Sequence, residues 1–253
     1  MTPATFPSLK DKVAYVTGGA GGIGEAVSKA FARNGAHVGI LDIDAEAGKT
    51  LADQLCKSGV KAHAVRCDLR NIDDLKSGLA ALRAALAPAD ILINNAAHDQ
   101  RHEWRDVTPA YWDERMAVNL RHMFFAIQAV APQMIERKSG AIINFSSTSW
   151  KLKMATLPAY TTAKAAVHGL TKSFQMELGK AGVRINTLYP GWVMTARQKE
   201  LWFDAAGQKT LDEHQAMAGL IQPEDIANLV MFLSADDSRF CTGQEFTCDG
   251  GWL

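Results

Sequence analysis

Seven short apolar runs, spaced by longer segments with helical periodicity, constrain this chain more than any other feature. The runs are Lys12–Thr17, His37–Asp42, Ala62–Asp68, Asp90–Asn94, Ala141–Phe145, Arg184–Tyr189 and Glu245–Asp249. Several are continuously hydrophobic, such as Ile91-Leu92-Ile93 and Ala141-Ile142-Ile143, the pattern of strands buried on both faces. Gly22–Arg33, Ala45–Lys57, Ile72–Leu86, Pro109–Glu136, Ala159–Gly179 and Pro223–Leu233 carry apolar and small residues at helical spacing. Asp44, Asn71 and Thr108 stand where N-caps belong, and Pro109 and Pro223 stand in first turns. This alternation predicts an α/β fold: a doubly wound parallel sheet of about seven strands with helices on both faces. No linker, repeat or low-complexity tract divides residues 1–253, so a single domain is expected. The one interruption, at about 192–218, has no strand pattern and reads as a substrate lid.

Composition narrows the function. Lys and Arg number 27 against 27 Asp and Glu, so the basic excess that displaces counterions from nucleic acid is missing. With 47% hydrophobic and 21% charged residues, the chain can bury a core and is not disordered. Neutrality gives little repulsion between copies and favours self-association. Cys56, Cys67, Cys241 and Cys248 have no metal-binding spacing and read as reduced thiols. Met1–Lys12 is polar and interrupted by Pro3 and Pro7, unlike a secretory leader. No apolar run approaches the roughly 20 residues that span a bilayer. A soluble, cytoplasmic protein with neither nucleic-acid nor membrane partners is expected. His98 and His102 are four apart but lack an evident third ligand, so no metal is expected.

The first strand runs into Thr17-Gly18-Gly19-Ala20-Gly21-Gly22-Ile23-Gly24 and then a helix. Gly19, Gly21 and Gly24 fit G-x-G-x-x-G, while Gly18, Gly22 and Gly24 fit T-G-x-x-x-G-x-G. In either register the bare backbone can approach a pyrophosphate seated on the positive end of a helix. Asp42 ends the second strand, 18 residues beyond Gly24. A carboxylate there accepts hydrogen bonds from adenosine ribose hydroxyls and repels a 2′-phosphate. Gly19 and Ile43 stand where a basic residue would serve a phosphorylated cofactor, so NAD is expected over NADP. Asp68-Leu69 can meet adenine at the end of the third strand. Asn94-Asn95-Ala96-Ala97 leaves room at the end of the fourth.

The fifth strand ends in Ser146-Ser147, and Tyr160 follows Ser147 by thirteen residues, with Lys164 four further on. Four residues apart on a helix, the phenol and the ammonium are neighbours. A phenol near pKa 10 is a poor base at neutral pH, and a nearby cation favours its ionised form. Such a tyrosine can take the proton of an alcohol while the serine hydroxyl binds the same oxygen.

From Lys10 to Trp252 the chain resembles the short-chain dehydrogenase/reductase family. The resemblance rests on the Thr17–Gly24 turn, Asp42, Asp68, Asn94-Asn95-Ala96, Asn119, Ser147, Tyr160, Lys164, Pro190-Gly191 and Asp249-Gly250-Gly251. It implies a Rossmann-type sheet and selects the Gly18, Gly22 and Gly24 register, with Ile23 and Ile43 beside the cofactor. It adds Asn119, which in the family helps hold a water in a proton relay with the lysine. It gives Lys164 a second role, holding the nicotinamide ribose, and brings Pro190–Thr195 to the nicotinamide, with Val193 offering its backbone to the carboxamide. Ala97 departs from the family's usual glycine by one methyl group. A homotetramer is implied, packed through Pro109–Glu136, Ala159–Gly179 and the C-terminal strand.

Within that family, Asp99-Gln100-Arg101-His102, Trp112–Arg115, Asn119–His122, Ser149-Trp150, Trp192 and Arg197 resemble bacterial NAD-dependent aldose 1-dehydrogenases. This implies oxidation of a cyclic sugar at its anomeric carbon to the aldonolactone. Ser147, Trp150, Tyr160, Trp192 and Arg197 would then touch the sugar, with Trp150, Trp192 and Trp202 offering aromatic faces. Two alternatives stay open. A 2-keto-3-deoxy sugar acid would place its carboxylate on Arg197 or Arg101. A non-catalytic NAD sensor would need the glycine turn but not Asn119, Ser147, Tyr160 and Lys164. A 3-oxoacyl thioester reductase would use NADPH, which Asp42 disfavours.

Overall fold

In the computed structural model, which describes residues 3–253, the alternation becomes a seven-stranded, all-parallel sheet. Its strands are β1 Val13–Thr17, β2 His37–Asp42, β3 Ala62–Arg66, β4 Ile91–Asn94, β5 Gly140–Phe145, β6 Val183–Pro190 and β7 Glu245–Cys248. They lie in the order β3-β2-β1-β4-β5-β6-β7, so the chain leaves β1 in one direction and returns at β4 in the other. The crevice at such a reversal, outside the carboxyl ends of the strands, is where open α/β sheets bind ligands.

Two hydrophobic layers sandwich the sheet. On one side, α1 (Gly22–Arg33), α2 (Ala45–Lys57) and α9 (Pro223–Ser234) pack Val27, Phe31, Leu51 and Val230 against Val16, Ile40, Ile91, Ile93 and Ile143. On the other, α3 (Ile72–Ala85), α5 (His122–Arg137) and α6 (Pro158–Lys180) pack against Tyr15, Leu41, Leu92 and Ile142. Neighbouring residues of β4 thus face opposite cores, which explains its unbroken apolar run. Each fully buried aliphatic side chain contributes about 1.5–3 kcal/mol.

The capping residues act as expected. Asp44 accepts from the Ala47 N–H at 3.0 Å, Asn71 from Asp73 and Asp74, and Thr108 from Tyr111. The predicted helix 109–136 departs from expectation: α4 (Pro109–Met116) and α5 flank a π-helical turn at Ala117–Arg121. Residues 192–218 also hold two helices absent from the sequence reading, α7 (Ala196–Leu201) and α8 (Ala205–His214). Among the described residues, no helix is long and apolar enough to cross a membrane. The four cysteines are unpaired, with Cys56 exposed and Cys67 buried.

The turn after β1 distinguishes its glycines by conformation. Gly18 and Gly22 have φ of +61° and +53°, whereas Gly19 and Gly21 do not adopt positive φ. Gly24 answers to contact: a Cβ there would collide with the Gly18 carbonyl oxygen and stand 2.7 Å from Asn95 Nδ2. Around Gly21 the same atom would meet nothing within 4 Å. Gly24→Ala is therefore expected to cost about 1–3 kcal/mol through overpacking, whereas Gly21→Ser stays within about 0.5 kcal/mol of the parent. Urea midpoints of the two variants check this directly.

Candidate active site

A cleft of about 1490 Å³ opens along the carboxyl edge of the sheet, from the glycine turn past β4 and β5 to α7 and α8. Gly18, Gly22, Ile23, Asp42, Ile43, Asp68, Leu69 and Asn95 line one end. Ser147, Tyr160, Lys164, Pro190, Gly191, Trp192, Val193, Thr195 and Arg197 line the other. Three expected site residues lie outside this lining. Gly24 serves packing, as its contacts require. Asn119 is wholly buried behind the cleft. The Trp150 ring instead approaches Tyr189, with centroids 6.2 Å apart, and carries the Lys151 ammonium over it. Tyr189 of β6 and Lys151 thus flank the Trp150 ring.

Side chains at the nucleotide end shape the cleft as much as they face it. Asn95 Nδ2 donates to the carbonyls of Thr17 and Gly18, each at 3.0 Å, clamping the glycine turn to the end of β4. Asp42 Oδ2 accepts from the Ala20 N–H at 2.9 Å, and its Oδ1 accepts from Asp44 N. That carboxylate therefore braces the turn and faces the cleft, while Asp44 does the capping. Asp68 is chelated by Arg70, a residue the sequence reading passed over, through Nε at 2.9 Å and Nη2 at 2.7 Å. The guanidinium holds the Asp68 carboxyl below its ordinary range. Above Gly21, at the N-terminus of α1, lies open space. The first N–H groups of a helix lack partners inside it, so this open end fits an anionic group such as a pyrophosphate.

At the other end, α6 carries Tyr160 and Lys164 on one face, next to Ser147 beyond β5. The Lys164 side chain is 1% exposed, and its Nζ donates to the Phe145 carbonyl at 2.7 Å. It stands 5.7 Å from the centre of the Tyr160 ring. A buried polar ladder fixes α6 there. Asn94 donates to Asn144 at 2.8 Å, Asn144 to Thr171 at 3.1 Å, and Thr187 to Thr171 at 2.8 Å. Ser146 Oγ donates to the Lys164 carbonyl at 2.7 Å.

Burial governs the electrostatics at this end of the cleft. Burial raises the phenol's pKa above its ordinary value, Asp99 pushes the same way, and only the Ser147 hydroxyl opposes. Lys164 is itself pulled down by burial to about 7, with Asp99 opposing. Burial disfavours the charged form of each group, whereas opposite charges this close favour one another. His122, wholly buried on α5, is held by burial at about 3, with the Lys164 charge acting in the same direction.

Asn119 lies inside the π-helical turn. Its Oδ1 accepts from the His98 N–H at 2.8 Å, and its Nδ2 donates to the carbonyls of His98 and Arg115. The side chain thus fixes the segment after β4. His98 Nδ1 accepts from the buried Arg115, and burial, Arg115 and Arg197 together lower its pKa. His102 Nδ1 is paired with the Gln100 carbonyl and the Tyr111 hydroxyl, so the two histidines do not converge.

Fold and site define an oxidoreductase. A family model described as "Enoyl-(Acyl carrier protein) reductase" matches residues 18–253. The D-xylose 1-dehydrogenase of Caulobacter vibrioides is 45% identical over 252 residues, covering 100% of both chains. The probable galactose dehydrogenase GalD of Rhizobium meliloti is 40% identical, covering 97% of this chain and 96% of its own. Among solved structures, a 7 alpha-hydroxysteroid dehydrogenase complexed with NADH and 7-oxo glycochenodeoxycholic acid superposes with a TM-score of 0.92. It is 31% identical and covers 99% of this chain and 98% of its own. The chain belongs to the short-chain dehydrogenase/reductase family.

The buried imidazole sets an acid-stability slope. In the unfolded chain it protonates near 6.5, whereas in the folded protein it does so only near 3. Between those values the unfolded state binds the extra proton, so stability falls with falling pH by about 1.4 kcal/mol per unit. From about pH 7 to 5.5, urea unfolding should show a loss larger in the wild type than in His122→Gln by about 1.4 kcal/mol. An equal loss in both proteins would contradict a buried neutral imidazole.

Proposed function

We propose that this enzyme oxidises an aldose at its anomeric carbon to the aldonolactone, with NAD as cofactor. The observation that carries this reading is the cleft itself, which joins a glycine cradle and Asp42 to Ser147, Tyr160 and Lys164. The D-xylose and galactose dehydrogenase relatives support the sugar as substrate. The neighbour complexed with NADH supports a nicotinamide cofactor. Gly18, Gly22 and Ile23 would hold the pyrophosphate, Asp42 and Ile43 the adenosine ribose, and Asp68, Leu69 and Asn95 would lie along the adenosine. Pro190, Gly191, Val193 and Thr195 would border the nicotinamide, with Lys164 at its ribose. When bound, the nicotinamide accepts the hydride released from the carbinol carbon.

The remaining chemistry belongs to the chain's own residues. Tyr160 takes the hydroxyl proton, and Ser147 donates a hydrogen bond to the oxygen as charge develops on it. Lys164 anchors this end of α6 through the Phe145 carbonyl, and Asn119 keeps the segment after β4 in place. Because burial raises the Tyr160 pKa, the ionised fraction of the base grows about tenfold per pH unit below it. Oxidation is therefore fastest on the alkaline side. Residues 192–218 close over the site as a lid, with Trp192 and Arg197 toward the sugar. Arg197 stands 3.5 Å from Asp99, so its charge is already matched, which favours a neutral sugar over a sugar acid. Exposed Phe124 and Met176 on α5 and α6 support assembly into a homotetramer.

Tyr160→Phe should lower kcat by about 10²–10⁴-fold while NADH fluorescence titration shows nearly unchanged binding. Retention of most of the activity with aldoses would overturn the assignment of the base. Asp42→Ala removes the repulsion of a 2′-phosphate, so the ratio of NAD to NADP efficiency should fall at least about tenfold. Initial rates with each cofactor over a panel of sugars and sugar acids measure both expectations.

A further inference from the structure

At the substrate end of the cleft, Asp99 is the centre of a clasp that joins the segment after β4 to α7. Its Oδ2 accepts from Gln198 Nε2 at 2.6 Å, and its Oδ1 lies 3.5 Å from Arg197 Nε. Gln198 is held from its other side, because its Oε1 accepts from the Trp192 indole N–H at 3.0 Å. Both ends of the amide are thus used, and Trp192, Gln198 and Asp99 form one line across the cleft wall. Trp192 is itself fixed by edge contacts with Phe203 and Trp252, with centroids at 5.7 and 6.3 Å. Behind Asp99, the preceding residue is tied to Asn119 through its backbone.

We propose that Asp99 is a specificity-determining residue that accepts a hydrogen bond from a ring hydroxyl of a neutral sugar, and that Gln198 latches α7 over it. This rests on the aldose reading above. A carboxylate offers about four acceptor sites, and the clasp takes two. The Asp99 side chain remains 31% exposed and lines the cleft together with Tyr160. An acceptor-only group suits a hydroxyl donor and repels a substrate carboxylate. Its charge is also sensed by both Tyr160 and Lys164, which places it within electrostatic reach of the reacting oxygen. Trp192, fixed beside it, gives the sugar an apolar face, and Gln198 couples the position of that face to the carboxylate. None of this was legible from spacing, since Asp99 and Gln198 are 99 residues apart.

The test compares a good aldose substrate with its single-deoxy analogues in the wild type, Asp99→Asn and Gln198→Leu. In the wild type, one deoxy analogue should lose roughly 10- to 100-fold in kcat/KM, the worth of one hydrogen bond to a charged group. In Asp99→Asn the parent sugar should fall by about that factor and the critical analogue hardly at all, so the discrimination collapses. NADH titration of each variant verifies an intact fold. Gln198→Leu should raise KM with kcat largely kept. The proposal is overturned if every deoxy analogue keeps its wild-type deficit in Asp99→Asn, or if Gln198→Leu leaves KM unchanged. The aldose reading fails separately, if the wild type turns over none of the sugars with either cofactor.

Discussion

A parallel sheet covered on both faces leaves only its edges for chemistry, and this constraint governs the whole molecule. Ile91 and Ile93 enter one core and Leu92 the other, so no residue within β4 can face a ligand. Function is pushed to the residues at and just past the strand ends: Gly18, Asp42, Asp68, Asn95, Ser147 and Gly191. Most of those positions are loops, yet their backbones are fixed by side chains reaching from neighbouring loops. Asn95 braces the first turn, Asp42 braces it from the other side, and Thr148 donates to the Pro190 carbonyl. Rigid strands supply the spacing, and this bracing supplies the precision that a near-attack geometry needs.

The floor of the site holds an unusual concentration of ionisable groups away from water. Lys164 and His122 are buried, Tyr160 lines the cleft partly exposed, and burial shifts each toward its neutral form. Charge there is expensive, so a group that loses or gains a proton does so only with an immediate partner. Ser147 and Asp99 are the partners at hand. The site is thereby poised to respond to what enters it, since any added charge acts through low dielectric.

Most of the architecture was readable because its signals are local. Apolar runs, caps at Asp44, Asn71 and Thr108, and the proline at the start of α9 each depend on neighbours in sequence. The chemical set was readable for the same reason, since Tyr160 and Lys164 are separated by one helical turn. Three features were not. The helices α7 and α8 are short and largely exposed, so they carry little hydrophobic periodicity. The π-helical turn leaves no composition signal, because one additional residue in a turn changes no residue type. Contacts such as Asp68 with Arg70 or Asp99 with Gln198 needed the fold.

The π-helical turn also fixes how this region can change length over evolutionary time. A π turn spends one residue more than an α turn, so one deletion between Ala117 and Arg121 would restore ordinary winding and tighten the turn that carries Asn119. Asn119 would then lose its two-point grip on the His98 backbone. The turn acts as a length gauge that ties α4 and α5 to the segment after β4 that lines the cleft.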